Sequence, residues 1–511
     1  MASTGAGGEW RAAKEAFVTG LGGTALGEVA LLGVLPPAGA ALAALARRAA
    51  GVSWAWGGAE GGERVLVGGA RGRQHRGRSG ARAFGAAATA FCLDFVALPG
   101  LFTAVLLRLC PLPAALAACA AACACLSWLA PAPRGAAPPP ARRGHLRCLG
   151  EARGALLLVT AACILAVDFP AFPRRWAKAE TFGAGLMDVG VGQFVLYGAL
   201  TSGLSARRRG APEGAPLRAA APLLLLGLGR VAALRSVDYH EHVGEYGVHW
   251  NFFLTMAVVA AMGSAFHPPA WLCAAAGGSL LGLHQATLVG GGSRFVMSDD
   301  RSGGSSALGR LLVLNKEGIC SLPGYVALFL LGRAAAAVLG RVADASGHLT
   351  GRALAGTAAA AGAFWGAVMC LEAYIEPVSR RSANAGYVAL SLAFGLSSLA
   401  LHALLGCVHD APGTAPLLEA FNRRGLSLFL LANVLTGAVN LGFDTLHAGM
   451  GSAAGIVGMY LACLCLFAAW PGPGPGGGRA VAGEGVGARG FLGWYGPRGR
   501  ARGGGSGSVP G

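Results

Sequence analysis

The chain has 511 residues, of which 54% are hydrophobic and only 13% charged, with a net charge of +17. A soluble protein carries roughly a quarter charged residues, so this composition excludes a water-soluble globular domain. The basic excess lies in connections such as "ERVLVGGARGRQHRGRSGAR" and "PRGAAPPPARRGHLRCLGEAR". Such a placement argues against nucleic-acid binding; it is the bias that orients a membrane protein and draws anionic lipid.

From the start, "MASTGAGGEWRAAKEAF" lacks the basic-then-apolar pattern of a cleaved signal peptide, so the first span is expected to act as its own targeting signal. Apolar runs near the length of a transmembrane helix then recur. They are expected at 24–46, 84–108, 111–131, 154–171, 183–203, 217–236, 247–264, 269–290, 319–340, 353–372, 386–406, 426–443 and 450–470, the first being the weakest because Glu28 interrupts it. The predicted fold is all-α, a polytopic membrane protein of about 13 transmembrane helices. Placing the N-terminus in a lumen and the C-terminus in the cytosol puts the most arginine-rich connections in the cytosol. Three regions follow: a lumenal segment 1–23, a multi-span domain 24–470, and a flexible cytosolic tail 471–511. Within the second, 57–82 reads as a flexible Gly/Arg-rich cytosolic loop. The thirteen cysteines, many inside apolar runs, read as small packing residues, since no CxxC pair or zinc-ligand spacing is present. No metal site is expected.

The lumenal connections carry the chemistry. "DFPAFPRRWAKAE", Asp168 to Glu180, gathers five charges between two spans. A carboxylate at the depth of Asp168 is costly unless it is paired or faces water. Pro170 and Pro173 turn the chain, and Arg174, Arg175 and Lys178 are expected within one helical turn. The plain reading is an interfacial anchor, with Trp176 in the aromatic belt. The sharper one pairs Asp168, a base for a hydroxyl, with Lys178, a cation for an oxyanion, as acyl transfer needs.

Further along, "SVDYHEHVGEYGVHWNFF" holds Asp238, His240, Glu241, His242, Glu245 and His249. A helix starting near Gly244 would put Glu245 and His249 on one face, a polar site for a substrate head with His249 a second candidate base. "NKEGICSLPGY" brings Asn315 and Lys316 to the mouth of a span. "SRRSANAGY" offers Arg380, Arg381 and Asn384, donors suited to a phosphate. In "FLLANVLTGAVNLGFDTL", Asn433, Thr436 and Asn440 share a helical face by spacing, either bonding across helices or lining a cavity.

Taken with "KEAFVTGLGGT" near the start, these strings resemble, in order, the motifs of one family: the glycosylphosphatidylinositol (GPI) inositol-acyltransferases, called PIG-W in animals. Six motifs spread from Lys14 to Leu446 carry the resemblance. It implies a multi-pass enzyme of the endoplasmic reticulum membrane. Such an enzyme transfers a fatty acyl chain, typically palmitoyl, from acyl-CoA to the inositol 2-hydroxyl of glucosaminyl-phosphatidylinositol, with acyl-CoA as co-substrate and no cofactor. It also implies that Asp168 and Lys178 are the catalytic pair. Arg174, Arg175, Arg380 and Arg381 are then candidates for substrate phosphates, and Glu245, His249, Asn315, Lys316, Asn384, Asn433 and Asn440 for the cavity wall. Rival readings are a lipid or small-molecule transporter with a lumenal polar cavity, an acyltransferase using His249 or His284 as base, and a structural subunit.

Overall fold

The computed structural model describes residues 16–52, 78–129, 146–206, 216–235, 243–265, 268–343, 347–409 and 415–470. The cluster Asp238, His240, Glu241 and His242, most of the loop 57–82 and the tail 471–511 lie outside them. Among the described residues there is no strand, only two isolated bridges, Thr24 with Ala184 and Ala343 with Leu349.

Among the described residues, ten helices are long and apolar enough to cross a membrane. In chain order they are α1 (Leu26–Ala49), α2 (Gly85–Leu106), α3 (Leu112–Leu129), α4 (Arg147–Ala166), α8 (Ala270–Met297), α9 (Lys316–Arg341), α10 (Gly351–Tyr374), α11 (Ala385–Leu405), α12 (Gly425–Gly442) and α13 (Met450–Ala469). The other three expected spans fall on α5 (Leu186–Ala206), α6 (Pro216–Arg235) and α7 (Phe252–Ala265). The apolar stretches of α6 and α7, Ala220–Ala232 and Phe252–Met262, are shorter than a full crossing.

Sequence sets local breaks inside these rods. Pro99 lacks the N–H that a regular turn needs, and Val96–Gly100 of α2 widens into one loose turn. In α9 the helix pauses at Ser321, with Pro323 just beyond. Thr350 caps α10 by accepting from the Ala353 amide at 3.3 Å.

Burial separates centre from rim. In α4, 78% of the apolar window is buried, against 17% in α3, α10 and α12, so α4 runs through the core and the other three offer most of their surface to lipid. A short helix, Pro416–Arg423, lies tightly on α4: a Cβ on Gly154 would stand 1.9 Å from the Leu418 carbonyl oxygen, so only glycine permits that approach. Around α4, α5 packs on α9, α8 on α9, α10 on α11 and α6 on α7. At one end of this bundle the connections after α4, α6, α8, α10 and α12 meet, through the contacts described next.

Candidate active site at one end of the bundle

Asp168 follows α4 by two residues. Its amide still bonds the Leu165 carbonyl at 3.1 Å, and its Oδ2 accepts from Asn440 Nδ2 of α12 at 2.8 Å. Thr445 Oγ1 reaches Asn440 Oδ1 at 3.4 Å, which orients the amide. Arg174 doubles back over the same turn. Its Nη2 donates to the carbonyls of Val167 (2.6 Å) and Phe169 (3.5 Å), and its Nε to that of Phe172 (3.4 Å). The guanidinium stacks 4.0 Å above the Phe17 ring. Arg174 thus ties off carbonyls left open where α4 ends. Burial draws its pKa down to about 10, with Asp168 acting the other way and Arg108 adding to the depression.

Two expectations for this turn are corrected. Trp176 does not sit in an aromatic belt: it is 3% exposed, edge-on to Phe172 with ring centroids 6.3 Å apart. The helical turn covers only Arg174–Trp176, and Ala177 is extended, so Lys178 leaves the turn that carries the arginines. Arg175 points elsewhere and grips Glu28 at 2.8 Å, a partner that raises its pKa. Glu28 also receives the Thr24 hydroxyl. The acid that seemed to interrupt the first span therefore sits at its mouth, paired.

Lys178 Nζ donates to both oxygens of Glu245, at 2.9 and 2.7 Å. The two residues share the wall of a cavity of ≈ 380 Å³, together with Tyr246, Trp250 and Asn433. Much of the rest of the wall is apolar, including Leu32 and Pro36 of α1, Leu156 and Val159 of α4, and Phe194 and Phe429 of α5 and α12, with Thr160, Gln193, Asn251 and Ser398 set among them. The expected helix joining Glu245 to His249 does not form. The helical turn ends at Tyr246, Gly247 has φ +111°, and α7 begins at Phe252. The amide of His249 instead bonds Asn315 Oδ1 at 2.8 Å.

The sequence model of the GWT1 family matches residues 10–470, a stretch that holds every element of this site. The chain belongs to the GWT1 family. Similar proteins include an uncharacterized protein of Arabidopsis thaliana, 38% identical over 311 residues, covering 60% of this chain and 69% of that protein. GPI-anchored wall transfer protein 1 of Emericella nidulans is 38% identical over 344 residues (61% and 69%). Phosphatidylinositol-glycan biosynthesis class W protein of Dictyostelium discoideum is 31% identical over 373 residues (64% and 73%). The resemblance read from the motifs is thus shown.

In this GWT1-family chain, several residues expected on the cavity wall form a buried frame behind it. Arg380 Nε bonds Asp188 Oδ1 at 2.8 Å. Asp188 Oδ2 accepts from the amides of Ala179 and Gly185, at 2.9 and 2.7 Å, and so pins the strand of chain next to Lys178. Arg381 and Arg301 converge on Glu317 Oε1 at 2.8 and 2.6 Å. Lys316 is wholly buried and donates to Ser298 Oγ (2.7 Å) and the Asp300 carbonyl (2.9 Å). Asn384 is buried and accepts from the Ser379 and Tyr387 amides. None of Arg380, Arg381, Asn315, Lys316 and Asn384 is among the residues walling the cavity. Of the other expected residues, Asn433 is in its wall and donates to the Phe429 carbonyl at 2.7 Å. His284 Nε2 is 2.9 Å from the Ser382 carbonyl oxygen and buried.

Sequence reasoning missed Asp188. Its signal was an acid in the first turn of an apolar run, the same costly placement that singled out Asp168.

Proposed function

We propose that this chain is the acyl-CoA-dependent acyltransferase that places a fatty acyl chain, typically palmitoyl, on the inositol 2-hydroxyl of glucosaminyl-phosphatidylinositol, within GPI-anchor biosynthesis. Two relatives carry GPI-related names. The observation that carries the reading is the cavity itself. An ion pair stands in its wall, the rest of which is largely apolar, and its volume falls in the range of about 300–1,000 Å³ that ligand sites occupy. An acyl chain takes the apolar part of the cavity and leaves the thioester carbonyl beside Lys178.

The chemistry needs no covalent enzyme intermediate, because two substrates bound side by side can react directly. Asp168 accepts the 2-hydroxyl proton, the alkoxide oxygen attacks the thioester carbon, and negative charge develops on the carbonyl oxygen. An ammonium has three N–H donors. Two of those on Lys178 are spent on Glu245, and the third is left for the oxyanion. The C–S bond then breaks, the ester forms, and the coenzyme A thiolate takes the proton back from Asp168. The reading carries with it a thirteen-span enzyme of the endoplasmic reticulum, N-terminus lumenal and C-terminus cytosolic.

The test is acyl transfer by the purified protein from labelled palmitoyl-CoA to glucosaminyl-phosphatidylinositol. Wild type is expected to yield acylated lipid and Asp168→Asn none. Product from Asp168→Asn but none from His249→Ala would move the base to His249, and no product from well-folded wild type would overturn the reading.

A further inference from the structure

The loop that ends α2 holds an unusual residue. The helix closes with the Arg108 amide on the Val105 carbonyl (3.1 Å) and the Leu109 amide on that of Ala104 (2.8 Å), the paired bonds of a Schellman motif. The left-handed position of such a motif is normally glycine. Here it is Arg108, at φ +57°. Its side chain is exposed, and its charge acts on Arg174.

Arg174 has a matching vacancy. Its Nε and Nη2 are used on carbonyls, whereas its Nη1 is buried without a hydrogen-bond partner. A buried, charged donor left open is costly, and two guanidinium groups near one another repel unless an anion lies between them. Arg174 sits beside Asp168, since it bonds the carbonyl of the residue immediately before it, and the helix that Arg108 ends packs on α4, which Asp168 follows.

We infer that Arg108 and Arg174 form the subsite for the phosphodiester of the inositol phospholipid acceptor. This rests on the acyl-acceptor reading above and deepens it. In phosphatidylinositol lipids the phosphate is on the ring carbon next to the one bearing the 2-hydroxyl. A hydroxyl presented to Asp168 therefore brings its neighbouring phosphate to within a few ångströms of the same carboxylate. Cations must stand there, or the two anions would oppose binding. Arg174 Nη1 supplies a fixed donor, and Arg108 an exposed one from the adjacent helix end. The donor, acyl-CoA, makes no use of either.

The experiment is a binding titration of the full-length protein in phosphatidylcholine nanodiscs, with glucosaminyl-phosphatidylinositol and, separately, palmitoyl-CoA. The key variant is Arg108→Gly, because glycine suits φ +57° and keeps the helix end intact; Arg108→Gln tests the same charge with a side chain present. Both are expected to weaken the glycolipid about tenfold or more and leave palmitoyl-CoA within twofold. Glycolipid affinity unchanged in both variants overturns the subsite. Equal losses for both ligands also overturn it, as a general defect. Wild type that binds the glycolipid in an Arg108-dependent way yet transfers no acyl chain removes the acyltransferase reading and leaves the subsite standing.

Discussion

Lys178 and Glu245, sixty-seven positions apart, are joined by two hydrogen bonds in the wall of the cavity. In the proposed reaction this carboxylate serves to aim the ammonium. Glu245→Gln keeps the shape but removes one acceptor and the charge. Transfer is expected to fall by about ten- to a hundredfold in kcat, and Lys178→Met to fall further. Initial rates at saturating acyl-CoA check the order; a Glu245→Gln loss equal to that of Lys178→Met would mean that Glu245 itself does chemistry.

Arg380 and Asp188 form an ion pair in which both side chains are almost fully buried. Removing one partner strands the other charge, at a cost of about 3–5 kcal/mol. Asp188→Asn should lower the thermal unfolding midpoint in detergent and, by freeing the Ala179 and Gly185 amides, reduce transfer as well. A stable but inactive Asp188→Asn would instead place Asp188 in the chemistry.

Gly183 sits at φ +104°, and a Cβ there would stand 2.0 Å from the Gly22 carbonyl oxygen. Gly183→Ala must push the N-terminal stretch off the site. A clear loss of both stability and activity is expected, beside an unaffected Gly356→Ala, whose Cβ meets nothing within 4 Å and which is not in the cavity wall.

Cys163 is the one cysteine in the cavity wall among the described residues. With direct transfer, Cys163→Ala should keep most activity, and no label from palmitoyl-CoA should stay on the protein after denaturation. A hydroxylamine-sensitive label lost in Cys163→Ala would establish an acyl-cysteine intermediate instead.

Helix positions were legible because a run of about twenty apolar residues has few other solutions. Asp168 stood out for the same reason, as a charge where charges are expensive. Partner choice was not legible. Nothing local in "RRWAK" says that Arg174 folds back on its own turn, that Arg175 meets Glu28, or that Lys178 meets Glu245; each depends on which loops the bundle brings side by side. Nor did residue type separate substrate contacts from frame. In sequence Arg381 looks like a phosphate ligand and Lys316 like cavity wall; in the structure Arg381 is consumed by Glu317, and Lys316 by Ser298 and Asp300. The helix expected to carry Glu245 and His249 together failed because Gly247 takes a left-handed turn that a helical reading of spacing cannot see.

The contacts that close the site span 67, 147, 192 and 272 residues of chain. A ribosome feeding this protein into a membrane releases Asp168 long before Asn440 exists to hold it. Until α12 is inserted, this carboxylate and the buried acids behind it must wait without their final partners, exposed to quality control. Biogenesis, then, is where this architecture is most vulnerable: a substitution that merely slows insertion of the late helices should lower the amount of mature protein without altering the proposed acyl transfer by each surviving molecule.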